Sequence, residues 1–324
     1  MMKIKKKICL VGVGNWGKNY LKTLHKLALD FIVVEQNTDL ISELEKQFEG
    51  ISFYQKIDET YDFCDSYIIA TPPKTHFAIA SNCLDRKKNV LVEKPLTLNV
   101  EDSYLLYEKA KKVDKTLAVG HLLLFHPAIK IIKKLIDSKF IGDLQYIYSN
   151  RLNTGKVRKD ENVLWSLAPH DISILQYFMD SEYPEDIKCI GNKIMSKEMH
   201  DISTTFLSYK SKKINSHIFV NWLNPYKDHS MVVIGSDKMI TFNGVSNDLY
   251  VHNKFLNKEN YEIGISGIPI EKIDYDFKSP LTSQIEFFLD NLDNPYIEYI
   301  GGKEAIDVMN ILHESSKNLN KLKK

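Results

Sequence analysis

Lys7-Ile8-Cys9-Leu10-Val11-Gly12-Val13-Gly14-Asn15-Trp16-Gly17 is the stretch whose reading decides the fold. A short apolar run meets Gly-x-Gly-x-x-Gly, and a helical pattern, Lys18 to Leu29, follows. In that order the first glycine allows a tight turn, the second lets backbone approach a pyrophosphate, and the third packs helix on strand. Such sites place an acidic residue about 20 positions further on. Glu35 stands 18 past Gly17 (35 − 17), ending the apolar run Phe31 to Glu35. The combination predicts a dinucleotide site made by Gly12, Gly14, Asn15, Trp16, Gly17 and Glu35. A carboxylate there repels a 2′-phosphate, and Gln36 and Asn37 add no basic residue, so NAD is favoured over NADP. The plainer alternative is a glycine turn and a surface glutamate.

Working outward, short apolar runs alternate with longer helical patterns up to about residue 122, the signature of parallel βαβ units. Strands are expected over Ile8 to Val11, Phe31 to Glu35, Ser66 to Ala70, Asn89 to Val92 and Leu117 to Gly120. Helices are expected over Lys18 to Leu29, Thr38 to Phe48, Thr75 to Asp85 and Val100 to Val113. Ligands of doubly wound sheets bind outside the carboxyl ends of the strands. After the third strand come Thr71-Pro72-Pro73, where two prolines delay the helix and Thr75 is placed to cap it. Thr71, Pro72, Pro73 and His76 fall where the cofactor's ribose or nicotinamide would lie, although His76 alone reads as a first-turn surface histidine. After the fourth strand comes Glu93-Lys94-Pro95. Turns ordinarily use Gly, Asn or Asp, so a lysine fixed by a proline is unusual punctuation. Near a positively charged nicotinamide its pKa should fall, letting Lys94 accept the proton of a hydroxyl while hydride leaves the same carbon. The bland alternative pairs Lys94 with Glu93 or a surface carboxylate.

Composition narrows the classes. The chain has 324 residues, 44% of them hydrophobic, enough for about two domains. With 43 Lys+Arg against 42 Asp+Glu, nothing in the balance points to nucleic acid or a membrane surface. Cys9, Cys64, Cys83 and Cys189 fall singly in apolar or helical stretches, which argues against a metal cage or a disulfide framework and fits a reducing, cytoplasmic setting. The basic start lacks a cleavage site and its apolar run is cut by glycines, so it does not read as a signal peptide. No stretch reaches the roughly 18–20 apolar residues of a membrane span.

Beyond Gly120-His121 the texture changes to one helix, Pro127 to Ile136, and then β-rich segments: Leu144 through Arg151, Ile187 to Ile194, Ile202 to Tyr209, Ile214 to Trp222, Met231 to Gly235 and Met239 to Phe242. Closing helices are expected over Leu281 to Asp290 and Glu304 to Asn318. The expected fold is α/β: an N-terminal doubly wound parallel sheet of Rossmann type over residues 1–122, and a C-terminal α+β domain with a large, mainly antiparallel sheet over residues 123–324. Strands such as His217-Ile218-Phe219-Val220-Asn221-Trp222 carry apolar residues on both faces, so the outer face of that sheet is expected to be covered. The chemical stretch is Lys156 to Asp171, a basic loop running into a helix that bears His170. By spacing alone His170 is more often a packing histidine than a catalyst.

Val11-Gly12-Val13-Gly14-Asn15-Trp16-Gly17, Ala70-Thr71-Pro72-Pro73 and Glu93-Lys94-Pro95 resemble the glucose–fructose oxidoreductase / inositol dehydrogenase / rhizopine catabolism (Gfo/Idh/MocA) family, and the resemblance runs along the whole chain. It implies that Lys94 and His170 are catalytic, that Pro95 follows a cis peptide, that Glu93 and Lys94 border the cofactor NAD, and that the C-terminal sheet mediates a homodimer or homotetramer. The family places an Asp four residues before a catalytic His; His170 is present here, but Ser166 holds the partner position. Asp171 is expected to anchor the surroundings of His170. Asn162 to Ile172 and Gly120 to Ala128 look like the branch acting on UDP-sugars, whose members oxidise C3 of UDP-N-acetylglucosamine to a 3-keto sugar that a PLP aminotransferase then aminates for lipid A or other surface glycans. This resemblance makes Lys94, His121, Arg151, Lys156, Arg158, Asn162, Trp165, Ser166 and His170 the expected substrate-binding set, with the basic residues, Lys159 included, suited to a diphosphate or else simply solvated beside Asp160 and Glu161. A free-sugar or inositol dehydrogenase, and a NAD-sensing protein without catalysis, are the rival readings.

Overall fold

The structure is a computed structural model that describes residues 7–154, 161–195, 197–253, 256–257, 262–263 and 270–321. In chain order the elements are β1 (Ile8–Val11), α1 (Gly17–Lys26), β2 (Phe31–Val34), α2 (Thr38–Gln47), β3 (Phe53–Tyr54), β4 (Ser66–Ile69), α3 (His76–Asp85), β5 (Asn89–Val92), α4 (Val100–Lys112) and β6 (Leu117–Val119). They continue as α5 (Pro127–Asp137), β7 (Leu144–Thr154), α6 (Val163–Phe178), β8 (Asp186–Asn192), β9 (Ile202–Tyr209), β10 (Ile214–Asn221), β11 (Leu223–Gly235), β12 (Lys238–Asn243) and β13 (Asp248–Asn253). The short β14 (Leu256–Asn257) and β15 (Glu262–Ile263), then β16 (Ile270–Lys272), α7 (Pro280–Asp290) and α8 (Gly302–Lys321), complete the chain.

The first sheet has the order β3-β2-β1-β4-β5-β6, all parallel. Strands β1, β2, β4 and β5 are buried at every position, as strands covered on both faces by helices must be, which is why they read as unbroken apolar runs. Helices α2 and α4 start where Asn37 and Asn99 accept hydrogen bonds from first-turn N–H groups.

The second sheet has the order β16-β13-β12-β11-β7-β10-β9-β8, antiparallel except where β10 runs parallel to β7. Its strands alternate in burial: along β10, Ile218 and Val220 are buried while His217 and Phe219 on the other face are partly exposed. On that outer face His217 stacks on Tyr148 and lies against Tyr146 and Phe206.

Two compact units emerge, and one boundary departs from expectation. The first comprises residues Met1–Leu122 with Ser279–Met309; the second comprises Leu123–Lys278 with Asn310–Lys324. Residues 279–309 therefore leave the expected 123–324 domain. The cause is pairing at the edge of the first sheet: Val119 donates its N–H to the Ile300 carbonyl (2.8 Å), Ala118 bridges Gly301, and the Thr116 hydroxyl donates to the Asn291 carbonyl (2.6 Å). Strands β3, β13, β14, β15 and β16 were not expected. The first and last are short edge pieces; β13 carried its signal in the alternation of buried Leu249 and Val251 with partly exposed neighbours.

Candidate active site

In the first sheet the backbone ladder runs one residue past each strand. Gly12 N–H donates to Val34 O (2.8 Å), Glu35 N–H to Tyr54 O (2.9 Å), Ala70 N–H to Val11 O (2.8 Å), Glu93 N–H to Ile69 O (2.9 Å) and Gly120 N–H to Val92 O (2.8 Å). Five residues picked from separate stretches of sequence thus stand in a row along one rim, the carboxyl edge where such sheets bind ligands.

The three glycines do different work. Gly12 has φ +87°, and a Cβ there would meet the Thr71 methyl at 2.8 Å. At Gly17 a Cβ would come to 2.1 Å from the Gly12 carbonyl oxygen, the close helix–turn contact that only glycine permits. At Gly14 nothing lies within 4 Å of that position, and no side chain caps α1. An open approach to a turn followed by an uncapped helix N-terminus suits a pyrophosphate, so these residues fit a dinucleotide. Glu35 Oε2 accepts from Val13 N–H (2.9 Å), while Oε1 accepts from Gln36 N–H (2.8 Å) and Asn37 N–H (3.0 Å). The carboxylate is held beside the glycine turn by backbone.

Glu93 ties the lysine turn to α1. Buried at 8% exposure, its Oε1 accepts from the Trp16 indole Nε1 (2.7 Å) and the Tyr20 hydroxyl (2.8 Å), and its Oε2 from Lys94 N–H (3.1 Å). Burial pushes its pKa up, against the pull of Tyr20 and Lys94. Trp16 and Tyr20, four residues apart, lie on one face of a helix, a spacing that could have revealed this pair from sequence. Gly120 is required here too, because a Cβ would lie 2.8 Å from Glu93 Oε1.

The Lys94–Pro95 peptide is cis. The carbonyl of the residue after it, Pro95 O, lies 2.8 Å from His76 Nδ1, and Thr71 O lies 2.9 Å from His76 Nε2. His76 is fully buried, which corrects its reading as a surface histidine: α3 turns it inward to join two rim loops, and burial lowers its pKa. Thr75 does not cap α3; its hydroxyl turns back to Thr71 Oγ1 (2.7 Å). Pro73 to Thr75 form a single 3₁₀ turn before the helix. One residue past Gly120, His121 is buried at 2% exposure, with neither ring nitrogen hydrogen-bonded among the described residues. Burial and then the charge of Lys94 hold it down to about 4.

In the second unit, α6 begins where Asn162 Oδ1 accepts from Trp165 N–H (3.1 Å). The Trp165 indole Nε1 donates to Ser316 Oγ (2.7 Å). Both polar groups expected to meet substrate therefore serve the helix and its neighbour. Ser166 is buried and His170 is partly exposed; between them Pro169 offers no N–H to the Trp165 carbonyl one turn back. The expectation for Arg151 is overturned. Its Nε donates to Asp171 Oδ2 (2.5 Å) and its Nη2 to Asp171 Oδ1 (3.0 Å), and both side chains are buried. The fork meant for a diphosphate is closed on a carboxylate instead, because a buried guanidinium must be paired, and Asp171 anchors α6 to β7. Lys156, Arg158 and Lys159 lie outside the described residues.

Comparison with known proteins agrees with this geometry. Residues 6–121 match the oxidoreductase family with an NAD-binding Rossmann fold, and residues 129–241 match the GFO/IDH/MocA C-terminal domain. The chain is 24% identical to a UDP-N-acetylglucosamine 3-dehydrogenase of Acidithiobacillus ferrooxidans over 86% of each chain. It is 22% identical to a myo-inositol 2-dehydrogenase of Thermotoga maritima over 63% of this chain and 65% of that one. A solved structure of the Acidithiobacillus ferrooxidans enzyme superposes with a TM-score of 0.87 at 21% identity, covering 98% of this chain and 99% of the other.

Proposed function

Because the chain belongs to the Gfo/Idh/MocA oxidoreductase family, we propose that it is a NAD-dependent dehydrogenase that oxidises a hydroxyl of a nucleotide sugar, C3 of UDP-N-acetylglucosamine, to the 3-keto sugar. The observation that carries the dehydrogenase reading is the lysine turn. Lys94 sits at the carboxyl rim, in a turn whose Pro95 carbonyl is hydrogen-bonded by His76, beside a glutamate hydrogen-bonded to Trp16 and Tyr20 at the start of α1. The choice of sugar rests on the match to the UDP-N-acetylglucosamine 3-dehydrogenase along 86% of both chains.

NAD, when bound, supplies the hydride acceptor. Lys94 takes the proton of the substrate hydroxyl, so that alcohol and NAD⁺ give ketone, NADH and a proton. Gly12, Gly14, Asn15, Trp16 and Gly17 receive the pyrophosphate, Glu35 the adenosine ribose, and Thr71, Pro72 and Pro73 the nicotinamide half; His76 and Glu93 position rather than react. His170 is proposed as a polar group acting on the sugar, with Ser166 and the ring of Trp165 as further sugar contacts. The product is a ketone fit for transamination by a PLP enzyme, for lipid A or another surface glycan. The outer sheet face around Tyr148, Phe206 and His217 is proposed as a homo-oligomer interface, and the cytoplasm as the setting. No helix among the described residues is long and apolar enough to cross a membrane.

The test follows NADH formation with UDP-N-acetylglucosamine, myo-inositol and glucose in parallel, with a PLP aminotransferase and glutamate drawing off the ketone. Turnover of the UDP-sugar alone is expected. Turnover of free polyols instead selects the rival substrate class, in line with the inositol dehydrogenase relative, and NAD binding without turnover of any sugar selects a sensor.

A further inference from the structure

We propose that His121 is a further catalytic residue of the Lys94 site, whose imidazole N–H donates to the oxygen of the substrate hydroxyl that Lys94 deprotonates. This rests on the role given to Lys94 above.

Burial, placement and protonation state meet at this side chain. Its two ring nitrogens are buried and have no hydrogen-bond partner among the described residues. A buried polar atom left unpaired costs about 1–3 kcal/mol, so native structures rarely keep one without a use. Its position is also built. His121 N–H donates to Val119 O (2.7 Å), and Gly120 packs so closely on Glu93 that no side chain fits between them. The residue after Gly120 is thereby brought to the lysine turn, near enough for the charge of Lys94 to act on it. Finally, the ring stays neutral near neutral pH, since burial holds it down to about 4. A neutral imidazole keeps one N–H, which can donate to the hydroxyl oxygen while the hydroxyl's single proton goes to Lys94. It adds no second cation beside Lys94 and can orient the hydroxyl without competing for its proton.

A group kept for a ligand is a burden to the empty protein, and this separates the proposal from a packing role. In the cofactor-free protein, His121→Leu removes two unpaired nitrogens at little change in volume. It is expected to raise Tm by about 2–4 °C while lowering kcat/KM for the sugar at least about 100-fold and leaving NADH affinity within a few-fold. His121→Gln, which can still donate and accept, is expected to keep more activity than His121→Leu; a packing residue would show the reverse order. His121→Phe repeats the stability arm should His121→Leu not yield folded protein. A lowered Tm in both apolar variants, or activity retained in either, overturns the proposal. If the wild-type chain turns over no sugar, the dehydrogenase reading falls, yet the Tm arm still decides whether His121 is a ligand-facing group.

Discussion

The indole Nε1 of Trp16 donates to Glu93 Oε1 at 2.7 Å, across 77 positions of sequence. Through this bond the helix that opens the dinucleotide site and the turn that carries Lys94 share one carboxylate, which Tyr20 also holds. The start of α1 and the Lys94 turn are set by the same side chain.

Replacing that carboxylate should therefore disturb both at once. Glu93→Ala leaves the Trp16 N–H without its acceptor and the buried Tyr20 hydroxyl with only Gln284 Oε1 at 3.1 Å, a loss of about 1–3 kcal/mol. Weaker NADH binding by fluorescence titration and a lower kcat are expected together; a change in only one would show the two halves to be independent.

The glycine loop offers a matched pair of variants. Gly17→Ala drives a methyl to 2.1 Å from the Gly12 carbonyl oxygen, whereas Gly14→Ala meets nothing within 4 Å in the protein. Thermal melts should place Gly17→Ala well below wild type and Gly14→Ala close to it. Both should bind NADH more weakly, Gly17→Ala by misfolding of the turn and Gly14→Ala by obstruction of the ligand.

The Arg151–Asp171 pair is buried on both sides. Asp171→Ala strands the guanidinium, which for a buried charge costs about 3–5 kcal/mol, while an apolar pair of similar volume is often neutral. In urea denaturation, Asp171→Ala should be far less stable than wild type and Arg151→Met/Asp171→Leu should recover most of the difference. Equal losses in the single and double variants would contradict this account.

Acid should weaken the fold through its buried histidines. In the unfolded chain His121 titrates near 6.5, in the folded one near 4; His76 is lowered by burial as well. Between those values the unfolded state binds more protons, so the stability contributed by a neutral ring is present above about pH 6.5 and is lost as pH falls towards 4. For His121 the depression corresponds to roughly 3 kcal/mol. Chemical denaturation from pH 7 to pH 4 should show His121→Leu losing stability less steeply than wild type, and parallel curves would count against the depressed pKa.

The legibility of the site followed its locality. Gly12, Gly14, Gly17 and Glu35 were readable because a tight turn, a close backbone approach and a helix start impose residue types within a few positions of one another, and Lys94 stood out because a lysine before proline is odd at a strand end. His76 was misplaced, since one face of a short helix looks like another until its partners, here Thr71 and Pro95 carbonyls, are known. Arg151 was misassigned because the sequence shows a charge but not the carboxylate that closes on it.

By itself, then, the sequence determined the parallel sheet, its glycine turn and the order of the residues along its rim, because strand burial and backbone conformation are written in local residue type. Tertiary structure alone decided that Glu93 serves Trp16 and Tyr20, that Asp171 neutralises Arg151, that His121 is buried without a hydrogen-bond partner among the described residues, and that residues 279–309 pack with the first unit. Each of these depends on groups far apart along the chain, whose meeting is set by packing and by the need to pair buried polar atoms rather than by any local preference.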